Sequence, residues 1–358
     1  MKALCALAVG SLGLFVVACG GTTVEPSGSG GSTGASTSTS TGSDTGGATT
    51  GTGTATSTGT GINAGAMACA DLVKKRCDLV GKCTGGVAIT TSYGTAAVCD
   101  ERGVLACLAN FAAPGTGTTA ATLEACAMTT ETCADFLDNN PPAVCLPQPG
   151  GVAAGGACGA SAQCQSAFCA VPKDAICGVC AAKPKAGDSC ASMACGPGLT
   201  CTKASELCVV PVPAGGACGK DVPCGNGLSC IGATAAMMGK CMADATTMNA
   251  PCDAKVGPDC EKNLGLYCSP LTKTCAAVTF ADATQPCGVL AGGVAACKAG
   301  ARCLIPAGQK SGTCIAPAAD GAKCDTVAGP PCLRLAECVV TAGSTSGICT
   351  QPDPTSCK

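Results

Sequence analysis

The sequence predicts a small disulfide-rich fold, a short helical domain stapled by cysteines followed by an array of small β-hairpin repeats. Three observations predict it. Cysteine fills 36 of the 358 positions, a density that marks a cross-linked scaffold. Large apolar side chains are scarce, with five Phe, two Tyr and no Trp, so no sizeable core can remove enough apolar area from water. The cysteines also fall into two spacing regimes, first a helical period and then repeated quartets. Units too small to bury a core are held by cross-links that restrict the unfolded chain, each worth roughly 2–4 kcal/mol.

The chain opens with Met1-Lys2 and an apolar run from Ala3 to Ala18. The run is short for a membrane span and has the form of a secretory signal over residues 1–18. It ends in Val16-Val17-Ala18-Cys19, followed by Gly20-Gly21. That resembles the bacterial lipobox, which implies acylation of Cys19 and attachment to the membrane through it. Residues 19–65 read as a disordered tether. All but four residues of 27–61 are Ser, Thr or Gly, which leaves nothing to offset the entropy of ordering. From Gly20 to Met67 its random-coil reach is roughly 35–40 Å.

Residues 66–147 read as the helical domain. Cys69 and Cys77 are eight apart, Cys99 and Cys107 eight, Cys126 and Cys133 seven. Two helical turns span that distance, so each pair shares a helix face. Leu72, Val73, Leu79, Val80, Val98, Leu105, Leu108, Leu123, Phe136 and Leu137 follow the same pattern. The spacing predicts three short helices. Thr118 or Thr119 caps the third and Pro141-Pro142 stops it. Cys83 and Cys145 complete eight cysteines able to pair among themselves.

From residue 148 onward a repeat dominates. Its quartets are Cys158, Cys164, Cys169 and Cys180; Cys190, Cys195, Cys201 and Cys208; Cys218, Cys224, Cys230 and Cys241; Cys252, Cys260, Cys268 and Cys275; Cys287, Cys297, Cys303 and Cys314; Cys324, Cys332, Cys338 and Cys349. Third cysteines follow a small motif, as in Gly198-Leu199-Thr200-Cys201, and fourth cysteines often follow Gly, as in Ser346-Gly347-Ile348-Cys349. The stretch between them predicts a β-hairpin, with Cys338-Val339-Val340 facing Gly347-Ile348-Cys349. Two disulfides would close each unit, and four cysteines allow three pairings. Cys177 and Cys357 remain outside the quartets. Either they bridge and fold the array back on itself, or Cys357 finds a local partner in the last repeat. Units that close internally predict an array stabilised by nearest neighbours.

The spacing from Cys158 through Cys164, Cys169, Cys177, Cys180, Cys190, Cys195 and Cys201 to Cys208 resembles the Dickkopf N-terminal cysteine-rich domain. Residues 148–209 are therefore set apart from the further four-cysteine repeats over 210–358. The resemblance departs where that domain has a doubled cysteine and this chain has Cys195 alone. With its lipobox, tether, helical domain and repeats, the chain also looks like the Cys-rich lipoproteins of myxobacteria. That resemblance implies a lipid-anchored, surface-exposed place at the outer membrane.

The chain has no His, which removes Ser-His-Asp and Cys-His catalysis and His-ligated metals. The near-balanced charge, 21 basic against 23 acidic residues, shows no concentrated basic face for nucleic acid. Carboxylate pairs at Asp100-Glu101, Asp135 and Asp138, and Asp253 and Asp259 read as solvated surface. Cys177-Gly178-Val179-Cys180 has redox spacing but lies in a cysteine-dense repeat without the βαβ context such motifs need. It reads as structural. No catalytic residue, cofactor, metal site or small-molecule substrate is expected. Two readings survive. One is a surface interaction or adhesion module with a protein or glycan partner, and the other is a passive spacer or coat component. An enzyme is a distant third.

Overall fold

The computed structural model describes residues 59–357 apart from 173, 174, 192, 203 and 235. The signal segment, Cys19 and most of the tether lie outside the described residues.

Five α-helices come first, α1 (Gly59–Cys83), α2 (Val87–Ser92), α3 (Ala96–Phe111), α4 (Ala120–Met128) and α5 (Cys133–Leu137). Cys69–Cys107 and Cys77–Cys99 staple α1 antiparallel to α3. Cys83–Cys133 ties the end of α1 to α5, and Cys126–Cys145 ties α4 to a 3-10 turn at Ala143–Cys145. Each small core is built round these sulfurs. Val73 and Ile89 pack on Cys77 and Cys99, Leu72 on Cys126 and Cys145, and Phe136 with Leu79 on Cys83.

Several expectations need correction here. Helix α1 begins at Gly59, inside the stretch read as tether. Alanines at 64, 66, 68 and 70 favour helix and carry it back past the composition boundary. Cys126 and Cys133 do not share a helix. The chain breaks at Thr129–Thr132, where the Thr132 hydroxyl accepts the Asp135 N–H and starts α5 anew. The cap of α4 is Thr119, in a reciprocal pair with Thr122. That helix stops at Met128, well before Pro141-Pro142. Leu105, counted with the core face, is 44% exposed.

The remainder holds six copies of one unit, numbered I to VI in the order of the quartets. In every copy the first cysteine bonds the third and the second bonds the fourth. The third and fourth cysteines lie directly across an antiparallel hairpin, as in Cys169 opposite Cys180 and Cys338 opposite Cys349. Each then reaches away from its opposite number to a separate partner. Three residues before the first cysteine the backbone turns left-handed in all six units, at Gly155, Gly187, Gly215, Asn249, Thr284 and Gly321. That turn aims its N–H at the fourth cysteine's carbonyl, for example Gly155 to Cys180 at 2.8 Å and Thr284 to Cys314 at 2.8 Å. The fourth cysteine's N–H answers to the next residue's carbonyl, Cys180 to Gly156 and Cys314 to Gln285.

Hairpins come in two lengths. In the longer, a glycine two residues before the fourth cysteine faces the first cysteine, as in Gly178 opposite Cys158 and Gly312 opposite Cys287. A side chain there would collide with a carbonyl of the neighbouring strand, that of Ala170 or Leu304. In the shorter hairpins of units II and IV the same position is Glu206 or Lys273, turned to positive φ. Its carbonyl receives the first cysteine's N–H.

Neighbouring units touch, as where the Gly232 N–H donates to Lys255 and Arg302 donates to the Asp325 carbonyl, but nearest neighbours are not their whole support. They ring the helical domain, and each unit from I to VI contacts it or the unit beside it. Unit I sits on the loop after α3, where the Gly117 N–H donates to Ala162 and Gln163 donates to the Pro114 carbonyl. Units II and III meet the end of α5, through the Gly198 N–H to Asn139 and through Asn226 to Asp138. In unit V, the Ala299 and Gly300 N–H groups donate to Thr90 and Thr91 at the end of α2. Unit VI docks on α3 through Arg102, which is 9% exposed and forks onto Asp320. Finally Cys357 bonds Cys177 of unit I, closing the ring over a separation of 180 residues. The quartets have apolar area for little more than their own sulfurs, so the helices supply the surface each unit lacks.

Candidate functional site

All 34 cysteines from Cys69 to Cys357 are engaged in disulfides. Sulfurs of Cys158, Cys164 and Cys180 lie within 4.8 Å of one another, as do those of triplets in other units, such as Cys252, Cys260 and Cys275. That is metal-binding spacing, but a sulfur in a disulfide has no thiolate to offer an ion. Cys177 and Cys180 are not bonded to each other. Cys180 closes unit I through Cys164, and Cys177 leaves its unit altogether for Cys357.

Asp100 is not fully solvated, because its Oδ1 is buried without a hydrogen-bond partner. Most of the other carboxylates paired in the sequence are held by neighbours. Asp135 accepts from the Thr132 hydroxyl, and Asp138 accepts from the backbone and side chain of Asn226. Asp253 accepts the Lys255 N–H, and that bond, with Lys273 nearby, keeps its carboxyl below the usual range. Asp259 is not solvated as its sequence context suggested. It is 8% exposed, accepts the Cys260 N–H, and pairs with Lys262 at 2.8 Å.

The joint between units III and IV holds a group that the sequence reading passed over. Asp244 follows the last strand of unit III, and its N–H donates to Gly227. Its Oδ1 is buried without a hydrogen-bond partner. Burial, reinforced by the charges of Glu261 and Asp259, pushes the Asp244 carboxyl up to about 6, against the opposing pull of Ser229 and Lys262. Glu261 is itself 8% exposed and fixes the Asn263 N–H. A lone aspartate among small residues carries no pattern that would have flagged it. Only the docking of unit IV brings the acids together.

Two surface hollows stand out. One is lined by Asp71, Glu124, Ala127 and Met128, the other by Phe280, Asp282, Gln285 and Leu290 among others. Thr279 also lines the second, and its hydroxyl donates to the Val294 carbonyl. Among the described residues no helix is long and apolar enough to cross a membrane.

No family model, curated protein or solved structure matches the chain.

Proposed function

We propose that this chain is a non-enzymatic, surface-anchored Cys-rich lipoprotein that presents a rigid ring of six units as an interaction module. Cys19 is the anchor, and the Ser/Thr/Gly stretch lifts the folded body off the membrane. The observation that favours interaction over a passive spacer is where the apolar side chains lie. Met237, Met238 and Met248 are 63%, 55% and 61% exposed, Val256 79% and Leu271 88%. They sit on loops of units III and IV. A spacer has no use for apolar tips, whereas methionine suits an adaptable contact surface. Units I and II are Dickkopf-like modules in their cysteine spacing only, and no signalling role comes with the likeness.

Two measurements test the reading. Labelled fatty acid should enter the wild type and not Cys19→Ser, and equal labelling refutes the anchor. The purified ring should bind whole cells or isolated envelopes of the source bacterium. Met237→Ser/Met238→Ser/Leu271→Ser should weaken that binding at least about tenfold, the loss expected on removing roughly 1.4 kcal/mol of contact. Equal retention of variant and wild type favours the spacer.

A further inference from the structure

Among the described residues, sixteen of the seventeen disulfides join at least one buried cysteine. Cys177–Cys357 is the exception, with both partners half-buried. It also differs in what it joins. Every other bridge stays inside one unit or inside the helical domain, over separations of 11 to 50 residues. This one spans 180 and links unit I to the tail beyond unit VI. Pro354 is buried against Gly159, where an added side chain would meet the Pro354 backbone at 2.6 Å and the Cys357 sulfur at 2.9 Å. The Cys357 sulfur lies 3.7 Å from the Ile176 carbonyl, and Asp353 caps the short turn at Pro354–Ser356.

We propose that Cys177–Cys357 is a thiol-exchange clasp: a dithiol reductant opens it ahead of every other bridge and uncouples the ring while the helical domain and six units stay closed. The chemistry needs access first, because a thiolate must reach a sulfur along the S–S axis. One thiolate of the dithiol attacks either sulfur, forming a mixed disulfide and releasing the other cysteine as thiolate. The second thiol of the reductant then displaces the remaining cysteine and leaves as its own cyclic disulfide. Two electrons pass to the protein, and the two protons end on Cys177 and Cys357.

The rival is Cys190–Cys201, because Cys201 is exposed. Its partner Cys190 is 7% exposed and 11 residues away. A thiolate released there is held beside the mixed disulfide and returns before the reductant's second thiol can act. The cysteine released from the clasp lies on a tail outside the quartets, anchored by buried Pro354 and the Gln351 contact with Asp320, so no disulfide-closed unit holds its thiolate beside the mixed disulfide.

The test is graded reduction of the full chain with dithiothreitol at neutral pH, followed by alkylation and peptide mapping. Cys177 and Cys357 should take label together, at least about tenfold sooner than any other cysteine. Hydrogen exchange should rise at the same point over residues 351–357 and around Gly159, with the helical domain unchanged. A Cys177→Ser/Cys357→Ser variant should retain sixteen bridges and reproduce that exchange pattern without reductant. Label entering Cys190 and Cys201 first, or entering all cysteines together, overturns the proposal. So does a double variant whose helical domain exchanges freely.

Discussion

Replacing Arg102 by alanine tests whether unit VI is held on the helices as the ring requires. The Arg102 side chain is 10% exposed and that of Asp320 36%. Its fork spans Nη1 to Oδ2 at 2.5 Å and Nη2 to Oδ1 at 2.9 Å, and Nε donates to the Arg334 carbonyl at 3.0 Å. Removing one member of a well-buried pair costs about 3–5 kcal/mol. Asp320 keeps partial contact with solvent and the Gln351 amide at 2.5 Å, so the expected loss falls to about 2 kcal/mol. That is about thirtyfold in the unfolding constant. Urea unfolding followed by tyrosine emission is a suitable assay. Tyr93 packs against Val73, Cys77, Ile89 and Cys99, where burial raises its pKa and the Arg334 and Arg102 charges draw it back. A Tyr267→Phe background leaves Tyr93 as the reporter. Asp320→Asn should cost less in the Arg102→Ala background than alone. The Arg102 hydrogen bond holds the Asp320 carboxyl below its ordinary value. The pair's contribution is therefore present above the unfolded carboxylate value and is lost as pH falls through the depressed folded one. An Arg102→Ala protein within about 0.3 kcal/mol of wild type, with unchanged Tyr93 emission, would refute the docking.

The joint of units III and IV should respond to pH in the opposite sense. Between the ordinary 3.8 and about 6 the folded chain keeps the Asp244 proton that the unfolded chain has released, so stability falls as pH rises through that window. Asp244→Asn should abolish the slope and, at pH 7, add about 1 kcal/mol after allowance for partial exposure. Denaturant titrations from pH 4 to 7 measure both. Gly312→Val should drive a side chain into the Leu304 carbonyl. Peptide mapping should then show scrambling of Cys287–Cys303 and Cys297–Cys314, whereas Glu206→Gly in the shorter hairpin should leave unit II correctly paired. Thr284 holds a β-branched residue at φ 71, so Thr284→Gly should raise the thermal midpoint, gaining about 1 kcal/mol. An unchanged or lower midpoint counts against the shared turn.

The repeat was legible because its determinants are side chains. Quartet spacing, the glycine before the fourth cysteine and the pairing of Val339 with Ile348 all leave marks at fixed intervals. The disulfide pairing left none, since the third and fourth cysteines face each other and yet bond elsewhere. The ring was hidden for a different reason. Much of it is fixed by backbone groups, such as the Ala299 N–H on Thr90 or the Gly198 N–H on Asn139, which any residue could supply. Arg102 lies on a helix, where a charge ordinarily reads as the solvated side, and only the arrival of Asp320 and the Arg334 carbonyl makes burying it tolerable. The break between α4 and α5 turned on a hydroxyl cap at Thr132, indistinguishable from its neighbours Thr129 and Thr130 until the Asp135 N–H is placed. At the candidate site, the placement of sulfurs was readable and the acid joint at Asp244 was not, because its components come from different units.

The bond between residues 177 and 357 also changes what a protease can accomplish. A cut in any connecting segment between residues 181 and 323 leaves one fragment carrying Cys177 and the other carrying Cys357. The nicked protein therefore migrates as a single species until thiols are reduced. Two cuts in different connecting segments are needed to shed a piece. Surface loops on such a molecule can be scissile, even apolar and inviting, without a single encounter costing the cell the part that lies beyond them.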